Sequence, residues 1–334
     1  MAQPLTTALL RTRVRVRESG GAGRGMALTL RVLQAIPIAF GVTILTFLLM
    51  HAIPGDPARA ALGDRATPLA IASLRSEWGL DRPLAVQYWR YLGRVLHGDL
   101  GSSLFYGQST LSIIGSYAPA TAWLIVVSCL MSVIISVPVA AAAALTKSRV
   151  VDQIIRLGCQ IGLGAPAPWV GLILVLTFAI KVRWFPVGGF GNGPVAHLSA
   201  MILPSLTVAI GIAPLLIRAL RAEMLQVLGS DYVTTARSKG LSESRVLTRH
   251  VLRNAAVSAI TILGLNIAGL VSGSVIVESV FAVPGLGNLL VSSISRRDFP
   301  VVQGLALVFA VLVIIVNLLT DFVRAVLDPR VGLR

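Results

Sequence analysis

Four histidines, two cysteines and fourteen acidic residues are the groups in this 334-residue chain able to ligate a metal, move a proton or attack a carbonyl. His51, His97, His197 and His250 are scattered without ligand spacing, so no metal is assigned. Cys129 and Cys159 both fall inside apolar runs, which fits small apolar packing and excludes a disulfide framework. No Ser/His/Asp or paired-carboxylate arrangement is placed for catalysis, and the phosphate-cradling GxxxxGK[ST] loop does not occur. The chain is therefore read as a non-enzyme without a cofactor of its own.

The stretch that could do other work is DYVTTARSKGLSESRVLTRHVLRNA, residues 231–255, basic and set between two apolar runs. Ser230 or Asp231 can start a helix, and the Asp231 carboxylate suits the positive end of the helix dipole. Lys239 stands near the end of that turn, and Gly240 is the usual residue on which a helix is left. Ser242 then caps a second helix, with Glu243 in its first turn, that runs through Arg245, Arg249 and Arg253. The expected object is helix, glycine elbow, helix. Tyr232, Val233 and Ala236 can share a small apolar face that would enter a partner's groove; an inert, solvated loop is the other reading.

The elements around this loop follow from composition. Hydrophobic residues make up 55% of the chain, charged residues 13%, and mean hydropathy is +0.82. Burying that much apolar surface needs lipid as solvent, so the chain reads as an all-α integral membrane protein. Apolar runs predict six spans at about 32–53, 121–145, 157–180, 200–217, 255–277 and 301–320 within a membrane domain covering 31–327. Residues 1–30 form a basic N-terminal extension, expected to be disordered over its first twenty residues. With the first span uncleaved and the N-terminus inside, nineteen lysines and arginines fall on inner segments and ten on outer ones. That asymmetry favours cytoplasmic termini and removes the case for nucleic acid that a net charge of +15 would otherwise raise.

A long outer connection spans 54–119, with amphipathic helices expected over 69–80 and 82–96. Its mixed charges suit transient docking of a soluble partner, with Asp81 and Arg82 at its centre; Trp78, Trp89 and Tyr91 suit packing at the membrane interface instead. Pro284-Gly285 marks a turn after the fifth span, which places Phe281, Pro284, Gly285 and Leu286 at an outer mouth or in a surface helix that fills space. Gly264 and Gly269, and the GxxxG pair Gly269–Gly273, allow close helix approach or a hinge. Ionisable groups inside the spans are sparse, and Glu278 lies just at the outer end of the fifth. An ion-driven carrier needs such groups, so the energy source is expected outside this chain.

The 231–255 stretch resembles the EAA-type cytoplasmic loop of ABC importer permeases of the dipeptide/oligopeptide/nickel branch. HAIPGDPA (51–58), WGLDRPLAVQY (78–88), GDLGSS (98–103), WFPVGG (184–189), VESVFAVPGLGNLL (277–290) and RRDFPVVQG (296–304) resemble the same branch, in order. Two features depart from it: Ser258 stands where the branch often has Pro, and the N-terminal extension is longer than usual. The resemblance implies the six-helix type I importer permease fold in a cell inner membrane. It also implies a pore shared with a second, homologous permease, two cytoplasmic ATPase subunits that hold ATP and Mg, and an extracytoplasmic solute-binding protein. The loop 222–254 would then carry the coupling helix, with Asp231, Tyr232, Ala236, Lys239 and Gly240 facing an ATPase. Peptide is the leading solute, and nickel, glutathione, opines and oligosaccharides are alternatives. A stand-alone secondary carrier and a membrane enzyme or assembly scaffold are the other classes.

Overall fold

The computed structural model describes residues 21–52, 57–62, 67–103, 105–146 and 148–327. The expectation for residues 1–20 and the start of the outer connection at 54–56 lie outside these. The described chain is helical: α1 (Gly21–Ala52), α2 (Pro57–Leu62), α3 (Pro68–Trp78), α4 (Leu84–Leu96), α5 (Thr110–Leu145), α6 (Arg149–Gly164), α7 (Ala167–Leu174), α8 (Pro194–Leu228), α9 (Asp231–Ser238), α10 (Glu243–Val246), α11 (Leu252–Val280), α12 (Leu286–Ser295) and α13 (Phe299–Leu327). Wider π-helical turns continue α7 over Val175–Lys181 and join α10 to α11 over Leu247–Val251.

Local sequence explains where several helices begin and end. The Thr67 hydroxyl accepts from the Ala70 amide ahead of Pro68, and α3 stops on Gly79, whose φ of 67° suits glycine. Ser109 and Ser148 cap α5 and α6 in the same way. The two outer helices occur close to where the sequence places them.

Among the described residues, three helices are long and apolar enough to cross a membrane: Thr110–Leu145, Pro194–Leu228 and Phe299–Val323. Two bent pairs raise this to five, Arg149–Gly164 with Ala167–Lys181 and Ala259–Leu270 with Gly273–Val280, and α1 adds a shorter apolar stretch, Ile36–Leu48. The single span expected over 157–180 is instead two helices at 104°. Ala165 and Pro166 adopt extended ψ of 122° and 131°, because the residue before proline avoids the helical region and proline cannot donate to the preceding turn. At 1.5 Å per residue the 35-residue α8 is about 52 Å long, well beyond a hydrocarbon core of about 30 Å.

The core is built on α5 packed against α8. Leu124 and Val127 of α5, Met201, Leu203 and Leu216 of α8, and Val277 and Phe281 at the end of α11 form its centre. Small hydroxyl residues let the two long helices approach: Ser136 donates to the Ala213 carbonyl at 3.2 Å. Gly264 performs the close approach expected of it, since a Cβ there would overlap the Thr320 side chain of α13. Among the described residues, a Cβ on Gly269 or Gly273 would meet nothing within 4 Å, so their GxxxG spacing serves no contact there.

Candidate functional site

Two regions stand out, one at the α9–α10 elbow and one where α11 turns into α12. At the elbow, the Gly240 amide donates to the Arg237 carbonyl at 2.9 Å and the Leu241 amide to the Ala236 carbonyl at 3.2 Å. Gly240 has φ 82°, the left-handed conformation this double closure requires. Ser230 and Ser242 occupy the cap positions but make no side-chain cap bond; the Ser230 hydroxyl donates backwards to the Val227 carbonyl. A forked ion pair braces the two helices, Arg237 Nε to Glu243 Oε1 at 2.8 Å and Nη2 to Oε2 at 3.0 Å. The hydrogen bond from Arg237 holds the Glu243 carboxyl below the usual carboxylate range. Both partners are solvent-exposed, so the pair orients the elbow more than it stabilises it.

The apolar face proposed for a partner's groove is divided by the fold. Val233 and Ala236 are buried against Val246, Val251, Met224 and Leu220 of the same chain, because the short helix must cover its own apolar side. Tyr232, Asp231, Lys239 and Gly240 remain exposed. What the elbow offers outward is therefore one aromatic ring among charged groups, while Val233 and Ala236 seat it on the end of α8 and on α10, which runs on into α11.

At the other region, Glu278 is fully buried, and the structure gives it a role that its position in the sequence did not reveal. Its Oε1 accepts from the Thr121 hydroxyl of α5 at 2.8 Å, and its Oε2 accepts from the Asn288 amide at 2.9 Å. Thr121 Oγ1 in turn accepts from the Leu286 amide at 2.8 Å. Leu286 and Asn288 lie in the first turn of α12, so the carboxylate and the threonine satisfy amide donors the helix cannot bond internally. The helix dipole favours negative charge at this end, which is how a carboxylate is held here without a cation among its described partners.

This arrangement explains the glycines in VFAVPGLGN. Gly285 has φ −105° and ψ 177°, angles open to any residue, so its need is space: a Cβ there would overlap the Glu278 carboxylate. A Cβ on Gly287 would stand 2.6 Å from Val275 Cα and 2.9 Å from Glu278 Oε2. The turn ahead closes through the Val283 amide on the Glu278 carbonyl at 2.9 Å, with Ala282 at φ 47°. Phe281 and Leu286, expected near an outer mouth, are core residues here, with Phe281 against Gly171 and its carbonyl accepting from the Gly189 amide at 3.0 Å. Pro284 alone of that group is exposed.

A second buried carboxylate fastens the segment before α5 to the one before α13. The Ser103 hydroxyl donates to Asp298 Oδ2 and accepts from the Tyr106 amide at 3.0 Å. The Arg296 guanidinium lies 3.7 Å from the centroid of the Phe105 ring, a cation–π contact. Farther along the outer connection, Asp81 and Arg82 are exposed in the turn between α3 and α4. Helix α4 itself leans on α1: Tyr88 shares a hydrogen bond with Thr43 at 2.9 Å, and Tyr91 stacks on Phe47. The packing face of that helix and the exposed charged turn beside it are thus separate surfaces.

The chain matches two family descriptions over most of its length. Residues 136–333 match "Binding-protein-dependent transport system inner membrane component", and residues 26–109 match the N-terminal membrane component of the same systems. The chain belongs to this family. A putative peptide transport system permease protein of Brucella suis biovar 1 (strain 1330) is 39% identical over 304 residues, covering 90% of this chain and 97% of that one. The glutathione transport system permease protein GsiC of Salmonella paratyphi A is 38% identical over 301 residues, with the same two coverages. An inward-facing MetNI methionine ABC transporter chain superposes with a TM-score of 0.54 at 14% identity, over 65% of this chain and 96% of that one, which is a likeness of fold. This permease is therefore a non-catalytic, multi-pass component of an inner membrane importer that depends on a binding protein.

Proposed function

We propose that this permease forms one half of a heterodimeric pore for short peptides or a peptide-like solute such as glutathione. The relatives at 38–39% identity, over nine-tenths of this chain, support that solute class. In this reading α1, α5, the bent α6–α7 pair, α8, bent α11 and α13 make six spans, with both termini in the cytoplasm. The positive-inside asymmetry of the sequence supports that orientation.

The observation that carries the mechanism is the seating of α9. One side is locked by Val233 and Ala236 to the end of α8 and to α10, which leads into α11, and the other presents Tyr232, Asp231 and Lys239. A helix held this way transmits displacement: a push on its exposed side by a cytoplasmic ATPase moves the ends of two spans together. The second permease, a pair of ATPases and a solute-binding protein complete the assembly. The buried Glu278 network sets the outer ends of the same helix and of α5, so motion at the elbow and order at the outer side share α11.

Replacing Gly240 tests the coupling role. Its φ of 82° costs a β-branched residue roughly 1–2 kcal/mol, and since a Cβ there meets nothing within 4 Å the effect is purely conformational. A Gly240→Val complex in proteoliposomes is expected to assemble but to lose binding-protein-stimulated ATP hydrolysis and uptake together. Stimulated hydrolysis at the wild-type rate would refute the coupling assignment.

A further inference from the structure

An open pocket of about 420 Å³ lies between α6 and the end of α8, and transport as described above makes no use of it. The two helices run antiparallel along it. Gly162 allows the contact at the far end, where a Cβ would sit 3.0 Å from the Ile210 carbonyl oxygen, and Asp152 meets Arg221 at the near end. Arg156, Arg218 and Arg221 face one carboxylate, Asp152, across the pocket. Asp152 is already engaged by two of them, by Arg156 Nε at 2.8 Å and Arg221 Nη2 at 2.9 Å. Arg221 spends a further donor on the Ala143 carbonyl at 3.2 Å. Among the described residues Arg218 has no carboxylate partner, so the pocket holds a surplus of two positive charges.

Its walls are of a second kind. Ile155, Ile217 and Leu225 line it, and α6 turns Ile154, Leu157 and Ile161 outward, at 63%, 47% and 70% exposure. Arg149, Asp152, Arg156 and Gln160 recur at three- and four-residue spacing, so the polar stripe of α6 lies on the pocket side and its apolar face looks away. A helix so divided turns one face to lipid and lines a polar pocket with the other. Guanidinium groups fit phosphate oxygens through paired, planar hydrogen bonds. Basic pockets between membrane helices on the cytoplasmic side take anionic headgroups.

We infer that the pocket between α6 and α8 binds a phosphate group, that of an anionic phospholipid whose acyl chains lie along Ile154, Leu157 and Ile161. The bound lipid would tie α6 to the end of α8, the helix on which α9 is seated. Placement in the inner leaflet rests on the orientation given above; the binding chemistry does not.

The test uses the complete permease–ATPase complex, delipidated in mild detergent and read by native mass spectrometry with phosphatidylglycerol, phosphatidylcholine and inorganic phosphate as probes. Phosphatidylglycerol is expected to be retained at least about fivefold over phosphatidylcholine, in line with the worth of one cation near an anionic lipid. Arg218→Gln should remove most of that preference, Arg218→Lys should keep it, and the distant Arg183→Gln should leave it unchanged. Millimolar inorganic phosphate that displaces phosphatidylglycerol in the wild type but has no effect in Arg218→Gln would assign the site to free phosphate, the same chemistry from another source. Equal retention of the two lipids, or a preference untouched by Arg218→Gln with no effect of phosphate, overturns the inference. Because both membrane sides of the detergent-solubilised complex are equally accessible to added lipid, these outcomes do not depend on the orientation.

Discussion

The Glu278 network makes a quantitative prediction through a double-mutant cycle of Gly285→Ala and Glu278→Ala. In the parent, a Cβ on Gly285 overlaps the Glu278 carboxylate, and the backbone angles there suit alanine, so the whole penalty is steric. Overpacking a filled site costs about 1–3 kcal/mol. Here the displaced group is also the acceptor for the Thr121 hydroxyl and the Asn288 amide, and a buried donor left without a partner costs about 1–3 kcal/mol. Gly285→Ala alone should therefore cost about 3 kcal/mol. Glu278→Ala alone orphans the same two donors but recovers the desolvation of a buried charge, so its cost is the smaller, about 2 kcal/mol. In the double variant the new methyl enters space the carboxylate has left, and adding it should cost less than about 1 kcal/mol. The coupling is then about 2 kcal/mol, well above the roughly 0.5 kcal/mol scatter of independent sites. Unfolding of the purified permease in mixed micelles, followed by the fluorescence of its five tryptophans, measures it. Additivity within about 0.5 kcal/mol would show that carboxylate and glycine do not share this space, and the account of the GLG turn would fail.

The other predictions concern a strained cap and the outer charged turn. Ala282 closes α11 at φ 47°, so Ala282→Gly should stabilise the complex by about 1 kcal/mol by relieving left-handed strain, read as a higher unfolding midpoint; an unchanged or lower midpoint would refute the strain. Asp81→Lys with Arg82→Glu reverses two exposed charges in the α3–α4 turn, apart from the α1–α4 packing. Affinity for loaded binding protein should fall severalfold at low salt, with the difference shrinking above 0.15 M as screening sets in over about 8 Å, and basal ATP hydrolysis should not move. Equal affinity at low salt would exclude docking at this turn.

The amino-acid sequence alone determined the class of this protein, because class is written in composition and order. Apolar runs of about twenty residues, the skew of Lys and Arg, and motif segments in fixed order need no contacts to be recognised. Local chemistry also reached the elbow: Gly240 after Lys239, and Ser242 before Glu243, mark where one short helix ends and another begins, as the 82° φ at Gly240 bears out. Tertiary structure decided what each face touches. The Tyr232, Val233 and Ala236 face is continuous as a pattern, yet Val233 and Ala236 turn inward onto Met224 of α8 and onto Val246 across the elbow. Gly269 and Gly273 have the spacing of a packing motif and pack on nothing among the described residues, while Gly264, outside that motif, carries the close contact with Thr320, fifty-six positions away. Glu278 looked like the polar end of a span because its partners, Thr121 and the first turn of α12, lie 157 residues upstream and ten residues downstream. A buried carboxylate is held by donors brought to it in three dimensions, and sequence spacing records those donors only when they share its own helix or turn.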